Sequence, residues 1–95
     1  MRKPKYTSAA RQDLVDILTY ISRDKPDAAI AWIEKIEAKC LLIASQPEMG
    51  ELKSPLGRDV RANMVGRYVV FHRQVADTVE ILRVIPGDRN ITSLV

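Results

Sequence analysis

The last third of this chain, Gly66 to Arg89, most constrains its fold. Two runs of β-branched and aromatic residues stand there, Tyr68-Val69-Val70-Phe71 and Thr78-Val79-Glu80-Ile81-Leu82-Arg83-Val84-Ile85. A short polar break at Ala76-Asp77 separates them, which is the pattern of a β-hairpin. Arg67, Arg73, Arg83 and Arg89 punctuate the stretch. Guanidinium groups on an apolar hairpin form a platform suited to a polyanion or a carboxylate-rich partner. The third strand alternates Val69, Phe71, Arg73 against Tyr68, Val70, His72. The fourth alternates Val79, Ile81, Arg83, Ile85 against Glu80, Leu82, Val84. Neither has a wholly polar face, so the pattern predicts surplus apolar surface on the outer side of the sheet, available to a partner.

Upstream the period changes. A short strand is expected within Lys3–Thr7, limited by Pro4 to an edge or a beginning. Ser8 reads as an N-cap. From there a helix over Ser8–Asp24 places Ala10, Leu14, Ile17, Leu18 and Ile21 on one face, with Arg11, Asp13, Asp16 and Arg23 turned elsewhere. Pro26 interrupts it. A second helix over Asp27–Gln46 carries Ala29, Ile33, Ile36, Cys40 and Ile43 as its stripe, flanked by Trp32. Lys35 and Lys39, like Glu34 and Glu37, are like-charged neighbours at helical spacing, so this face is simply solvated. Pro47 and Gly50 stop the helix. Gly50 to Gly57 reads as a polar loop. A strand from about Arg58 to Met64 and a turn at Val65-Gly66 lead into the main hairpin, and Pro86-Gly87 breaks the chain before its tail.

The expected fold is α+β. A helical hairpin packs on one face of a small antiparallel sheet in the order β-α-α-β-β-β, centred on Tyr68–Arg73 and Val79–Val84. Ninety-five residues are expected to make one domain, 1–95. No apolar run approaches the length of a membrane span, and the basic start MRKPKY lacks the apolar core of a secretory signal. The single cysteine cannot close an internal disulfide, which suits a reducing cytoplasmic setting. It lies on the apolar face of the second helix, so Cys40 reads as core.

The net charge of +3 permits contact with nucleic acid or an acidic protein and demands neither. Its distribution is uneven. All six lysines lie at or before Lys53, and beyond it every Lys or Arg position holds an arginine. One histidine and one distant cysteine make no zinc spacing, and no Gly-rich phosphate loop is present, so no cofactor or metal is expected.

Three stretches resemble the toxins of the RelE/ParE superfamily. They are Tyr6-Thr7-Ser8-Ala9-Ala10 with Asp13-Leu14, Ile17 and Tyr20-Ile21; Ala29, Ile33, Ile36, Cys40, Leu42, Pro47 and Gly50 followed by Val60-Arg61; and Gly66-Arg67-Tyr68-Val69-Val70-Phe71 with Val79 through Ile85, Gly87 and Arg89. Their order and spacing span almost the whole chain. The resemblance implies the toxin of a type II toxin–antitoxin module, forming a hetero-oligomer with a cognate antitoxin. It also implies one of two targets: the ribosome and its mRNA for RelE-like members, DNA gyrase for ParE-like members. Arg61 and Arg89 match basic positions of the RelE-like set. Tyr68 stands where that set has an arginine, and the tail from Asn90 to Val95 has no tyrosine, which favours the ParE branch. Pro86 stands where many ParE-like chains carry a histidine.

Cutting RNA without a metal requires proton carriers and cations around one phosphate. His72 is the only residue ordinarily titrating near neutrality and, with Arg61 and Arg89, is a weak catalytic candidate. A lone histidine in a strand is ordinarily structural or merely exposed. Glu48 and Glu51 read as solvated loop charges. For binding an antitoxin or a target, the candidate residues are Arg61, Arg67, Tyr68, Arg83 and Arg89.

Overall fold

The computed structural model describes residues 2–88. The elements are β1 (Lys5–Tyr6), α1 (Ser8–Ser22), α2 (Pro26–Ser45), β2 (Glu51–Leu52), a 3-10 turn (Ser54–Leu56), β3 (Arg61–Val65), β4 (Tyr68–Val75) and β5 (Thr78–Pro86). They build an α+β fold in which two helices lie on a five-stranded sheet of order β1-β5-β4-β3-β2. The expected succession of strand, two helices and three main strands is present, and the main hairpin turns at Ala76-Asp77 as its polar break predicts.

The sheet is mixed rather than wholly antiparallel, because β1 runs parallel to β5 with Lys5 beside Glu80 and Tyr6 beside Ile81. Thr7 fixes this junction. Its N–H donates to Ile81 O and its hydroxyl donates to Leu82 O, while the same hydroxyl accepts the Ala10 N–H. Thr7, not Ser8, is therefore the N-cap of α1, and one side chain both starts the helix and ties the first strand to the last. The polar loop after Gly50 contains the two-residue β2, paired to β3 through Glu51–Ala62 and Leu52–Arg61. The strand expected from Arg58, β3, begins at Arg61 instead, since Asp59 takes a left-handed backbone (φ 60°) in the preceding turn.

The alternation of β5 breaks at one place. Phe71 pairs with Arg83 but His72 pairs with Ile81, so Leu82 is an extra residue, a β-bulge. The bulge reverses the phase. Val79, Ile81 and Val84 all join the core beneath the helices, with Ile36, Cys40 and Ile43 of α2 and Ala10 and Ile17 of α1. Ile85, with Leu82 packed against it, falls in a second cluster with Phe71, Val69, Leu56 and Val60. That second cluster corrects the expectation of a bare apolar outer face. Leu56 and Val60, from the stretch between β2 and β3, cover it, and Phe71 is 2% exposed.

Candidate functional site

The arginines have different fates. Arg83 belongs to the fold's interior accounting: its Nε donates to Asp13 Oδ2 at 2.7 Å and its Nη2 to Asp13 Oδ1 at 2.9 Å. The backbone N–H of Val84 donates to the same Oδ2 at 2.9 Å. The hydrogen bonds it donates to Asp13 hold the Arg83 guanidinium above its ordinary pKa. Asp13 is buried, against the expectation that it faces water. The signal was present: position 13 lies three after Ala10 and four before Ile17, both buried, so it sits on the core stripe. Arg73 bridges Glu80 at 3.3 Å on the surface, and Arg61 donates to Gly50 O at 3.1 Å. Arg89 lies outside the described residues.

Arg67 differs. Its guanidinium lies over the Tyr68 ring, 5.7 Å from the centroid, and among the described residues it makes no ion pair. The turn that carries it is held from the helical side. Gly66 has φ 59°, and a Cβ there would lie 2.3 Å from Cη2 of Trp32. Trp32 in turn meets the Tyr68 ring edge-on at 5.5 Å, with Lys35 Nζ 4.8 Å from the indole centroid. Trp32 is half-buried, packed between the Gly66 turn and the Tyr68 ring.

Arg67 and Tyr68 form one wall of a cleft of about 320 Å³ between α1 and the β4–β5 hairpin. Asp13, Asp16, Ile17 and Tyr20 of α1 line it from the helical side, and Val84 and Pro86 complete it. Tyr20 is 63% exposed. The cleft therefore brings the apolar Ile17, Val84 and Pro86 together with two phenol rings, the carboxylates of Asp13 and Asp16, and a cation that makes no ion pair among the described residues. Of the sequence candidates it gathers Arg67 and Tyr68, and keeps Arg83 beside it through Asp13. Arg61 lies apart from it, lining a separate hollow with Pro47, Glu48, Asp59 and Gln74. Tyr20 and Asp16 were not foreseen as site residues, and an exposed aromatic one turn beyond Ile17 was the available clue.

His72 is fully buried. Its Nδ1 is 3.1 Å from Asn63 Nδ2, which can only donate, and its Nε2 is 3.0 Å from Pro47 O, which can only accept. These partners assign a neutral ring protonated at Nε2. Burial, with a smaller contribution from the nearby Arg61 charge, lowers its pKa despite the bond to Pro47. The ring braces β4 and β3 to the segment after α2, where Asn63 also donates to Met49 O at 3.3 Å. Glu48 and Glu51 are exposed, as expected of loop charges, and Glu51 pairs with Lys53 at 3.3 Å. Burial pushes the Cys40 thiol up to about 11, beside Tyr6, which makes it a core residue and not a nucleophile. Among the described residues no group of His, Cys, Asp and Glu is arranged to hold a metal, and no helix is long and apolar enough to cross a membrane.

Comparison with known proteins gives one family. The model of the ParE toxin of type II toxin-antitoxin system, parDE, matches residues 5–91. A chain of a solved structure titled "Chromosomal ParDE TA system from P. aeruginosa" superposes with a TM-score of 0.78. The likeness spans 93% of this chain and 98% of that one at 18% identity. No curated protein matches the sequence.

Proposed function

The chain belongs to the ParE toxin family of type II toxin–antitoxin systems, and on that premise we propose that it arrests growth by binding and poisoning DNA gyrase in the cytoplasm, and that a cognate antitoxin neutralises it in a hetero-oligomer. The observation that carries the choice of contact over catalysis is His72: buried, neutral and bonded at both ring nitrogens. A ribosome-dependent nuclease needs a proton carrier at its surface, and the loss of one positioned charge stabiliser costs about 10²–10³ in rate. Here Arg61 is the RelE-like cation within the described residues, and it is turned onto the Gly50 carbonyl.

The same reading assigns the cleft between α1 and β5 to the antitoxin. An extended or helical segment would set an apolar side chain against Ile17, Val84 and Pro86 and a carboxylate against Arg67. A desolvated Arg at the centre of such an interface is the residue type that dominates binding energy. Domain 1–95 then acts as one unit. The test is expression of the toxin with two readouts, gyrase-dependent DNA breaks and codon-phased cuts in translated mRNA, with and without the protein encoded beside it. Breaks without cuts, relieved by the neighbouring protein, are expected. Cuts abolished by Arg61→Ala with supercoiling untouched would replace this reading with the mRNA interferase one.

A further inference from the structure

A second surface lies on the sheet face turned away from the helices. Lys5 stands beside Glu80 on β5, and Glu80 stands beside Arg73 on β4, so the three side chains form a row across three strands on one face. The face is the outer one, because the sequence neighbours Tyr6, Ile81, Val79 and His72 point to the helical side. Lys3 extends the row, held in place where Thr78 Oγ1 donates to its carbonyl at 2.8 Å. Lys3, Lys5 and Arg73 are all exposed. The carboxylate among them, Glu80, is already bridged by Arg73 at 3.3 Å, and Asp77 lies out at the hairpin tip.

From this arrangement we infer that the β1–β5–β4 end of the outer face is a contact surface for the phosphate backbone of duplex DNA. The inference is independent of the gyrase and antitoxin reading. Strands lie about 4.8 Å apart and residues rise about 3.3 Å each, so Lys5 and Arg73 stand about 10 Å apart and Lys3 about 7 Å from Lys5. A DNA strand presents a phosphate every 3.4 Å of axis, so long cationic side chains about 7 and 10 Å apart on this grid reach phosphates about two to three steps apart. The alternative occupant, an acidic protein, is disfavoured by composition. Protein interfaces are depleted in lysine and enriched in aromatics at their core. The central apolar residues of this face, Phe71 and Ile85, are already sealed under Leu56 and Val60, and the exposed Met64 lies away on β3.

The test measures binding of the full chain to a labelled 20-base-pair duplex of arbitrary sequence by fluorescence anisotropy, at 50 and 200 mM NaCl. Three phosphate contacts give a slope of log affinity on log salt of about −2.7, a loss of about 40-fold between those salts. The triple variant Lys3→Gln/Lys5→Gln/Arg73→Gln is expected to lose at least tenfold in affinity at 50 mM and to flatten the slope by about 2.7. Arg11→Gln/Arg23→Gln, which removes exposed cations from α1, is expected to bind as the parent does. Thermal melts establish that each variant is folded, and Lys5→Gln alone serves if the triple variant is not. No binding at 50 mM, equal losses in both variants, or selective capture of a polyglutamate peptide in place of DNA would each overturn the inference.

Discussion

Asp13 and Arg83, 70 residues apart in sequence, close a bidentate pair that also takes the Val84 N–H, so one buried carboxylate serves three donors. The pair fastens the first helix to the last described strand just past the Leu82 bulge. Without it the body of α1 would rest on β5 through apolar contacts, with only the Thr7 cap hydrogen-bonded to that strand, and the Val84 N–H would lack this partner.

Removing one member of this pair is expected to be costly. Asp13→Ala leaves a guanidinium and an N–H without their acceptor, which costs about 3–5 kcal/mol. The double variant Asp13→Leu/Arg83→Leu is expected to regain a large part of that loss, since replacing both charges by apolar groups is often near neutral. Urea denaturation of the three proteins checks this. A single variant within about 0.5 kcal/mol of the parent, the range of an ordinary surface change, would show that the pair contributes little.

Gly66 is fixed twice over, by its φ of 59° and by the Trp32 ring. Gly66→Ala is expected to destabilise by about 2–4 kcal/mol, summing a left-handed backbone cost and overpacking. In a double-mutant cycle with Trp32→Val the steric share is expected to vanish and a residual cost of about 1 kcal/mol to stay. A coupling of zero would mean the ring yields freely and the backbone alone demands glycine.

The burial of His72 gives stability a pH dependence of definite sign. Its folded pKa is lowered, so between that value and the unfolded value of about 6.5 the unfolded chain binds more protons. The stabilisation is complete above about pH 6.5 and is lost as pH falls through the window, at no more than about 1.4 kcal/mol per pH unit. Protonation would also set Nδ1–H against the Asn63 amide donor. Urea midpoints at pH 7.5, 6.0 and 5.0 are expected to fall for the parent and to fall less for His72→Gln. Parallel curves would assign the acid sensitivity to other groups.

The architecture was legible where the signal is local. The helical hairpin and the β4–β5 hairpin follow from periodicity and turn residues, and their observed limits lie within about two residues of the expected ones. Features that depend on distant pairing were not legible. Nothing in Lys5-Tyr6 announces a parallel partner 75 residues away, and a bulge at Leu82 leaves an alternating pattern that reads the same in either phase. The site suffered for the same reason. Arg83 looked available because its partner had been assigned to water, and Asp13 looked solvated because its charge outweighed its position on the core stripe. Arg67 and Tyr68, two of the sequence candidates, line the cleft beside a glycine turn whose geometry is local.

The antitoxin prediction separates two arginines that the sequence alone treats as equals. Arg67 lies at the cleft with its charge over Tyr68 and no ion-pair partner among the described residues, whereas Arg83 is consumed by Asp13. Arg67→Ala is therefore expected to leave stability within about 0.5 kcal/mol of the parent while weakening antitoxin binding by about 2 kcal/mol, or roughly 30-fold. Arg83→Ala is expected to do the reverse, lowering the melting temperature first and affecting affinity only as the fold loosens. Tyr20→Ala, across the cleft and 63% exposed, tests the apolar half of the contact. It is expected to weaken binding without moving the melt. Calorimetric titration of the three variants with the neighbour-encoded antitoxin decides the matter. Full affinity in both Arg67→Ala and Tyr20→Ala would place the antitoxin elsewhere, the exposed Val15, Leu18 and Ile30 of the helical hairpin being the next surface to test.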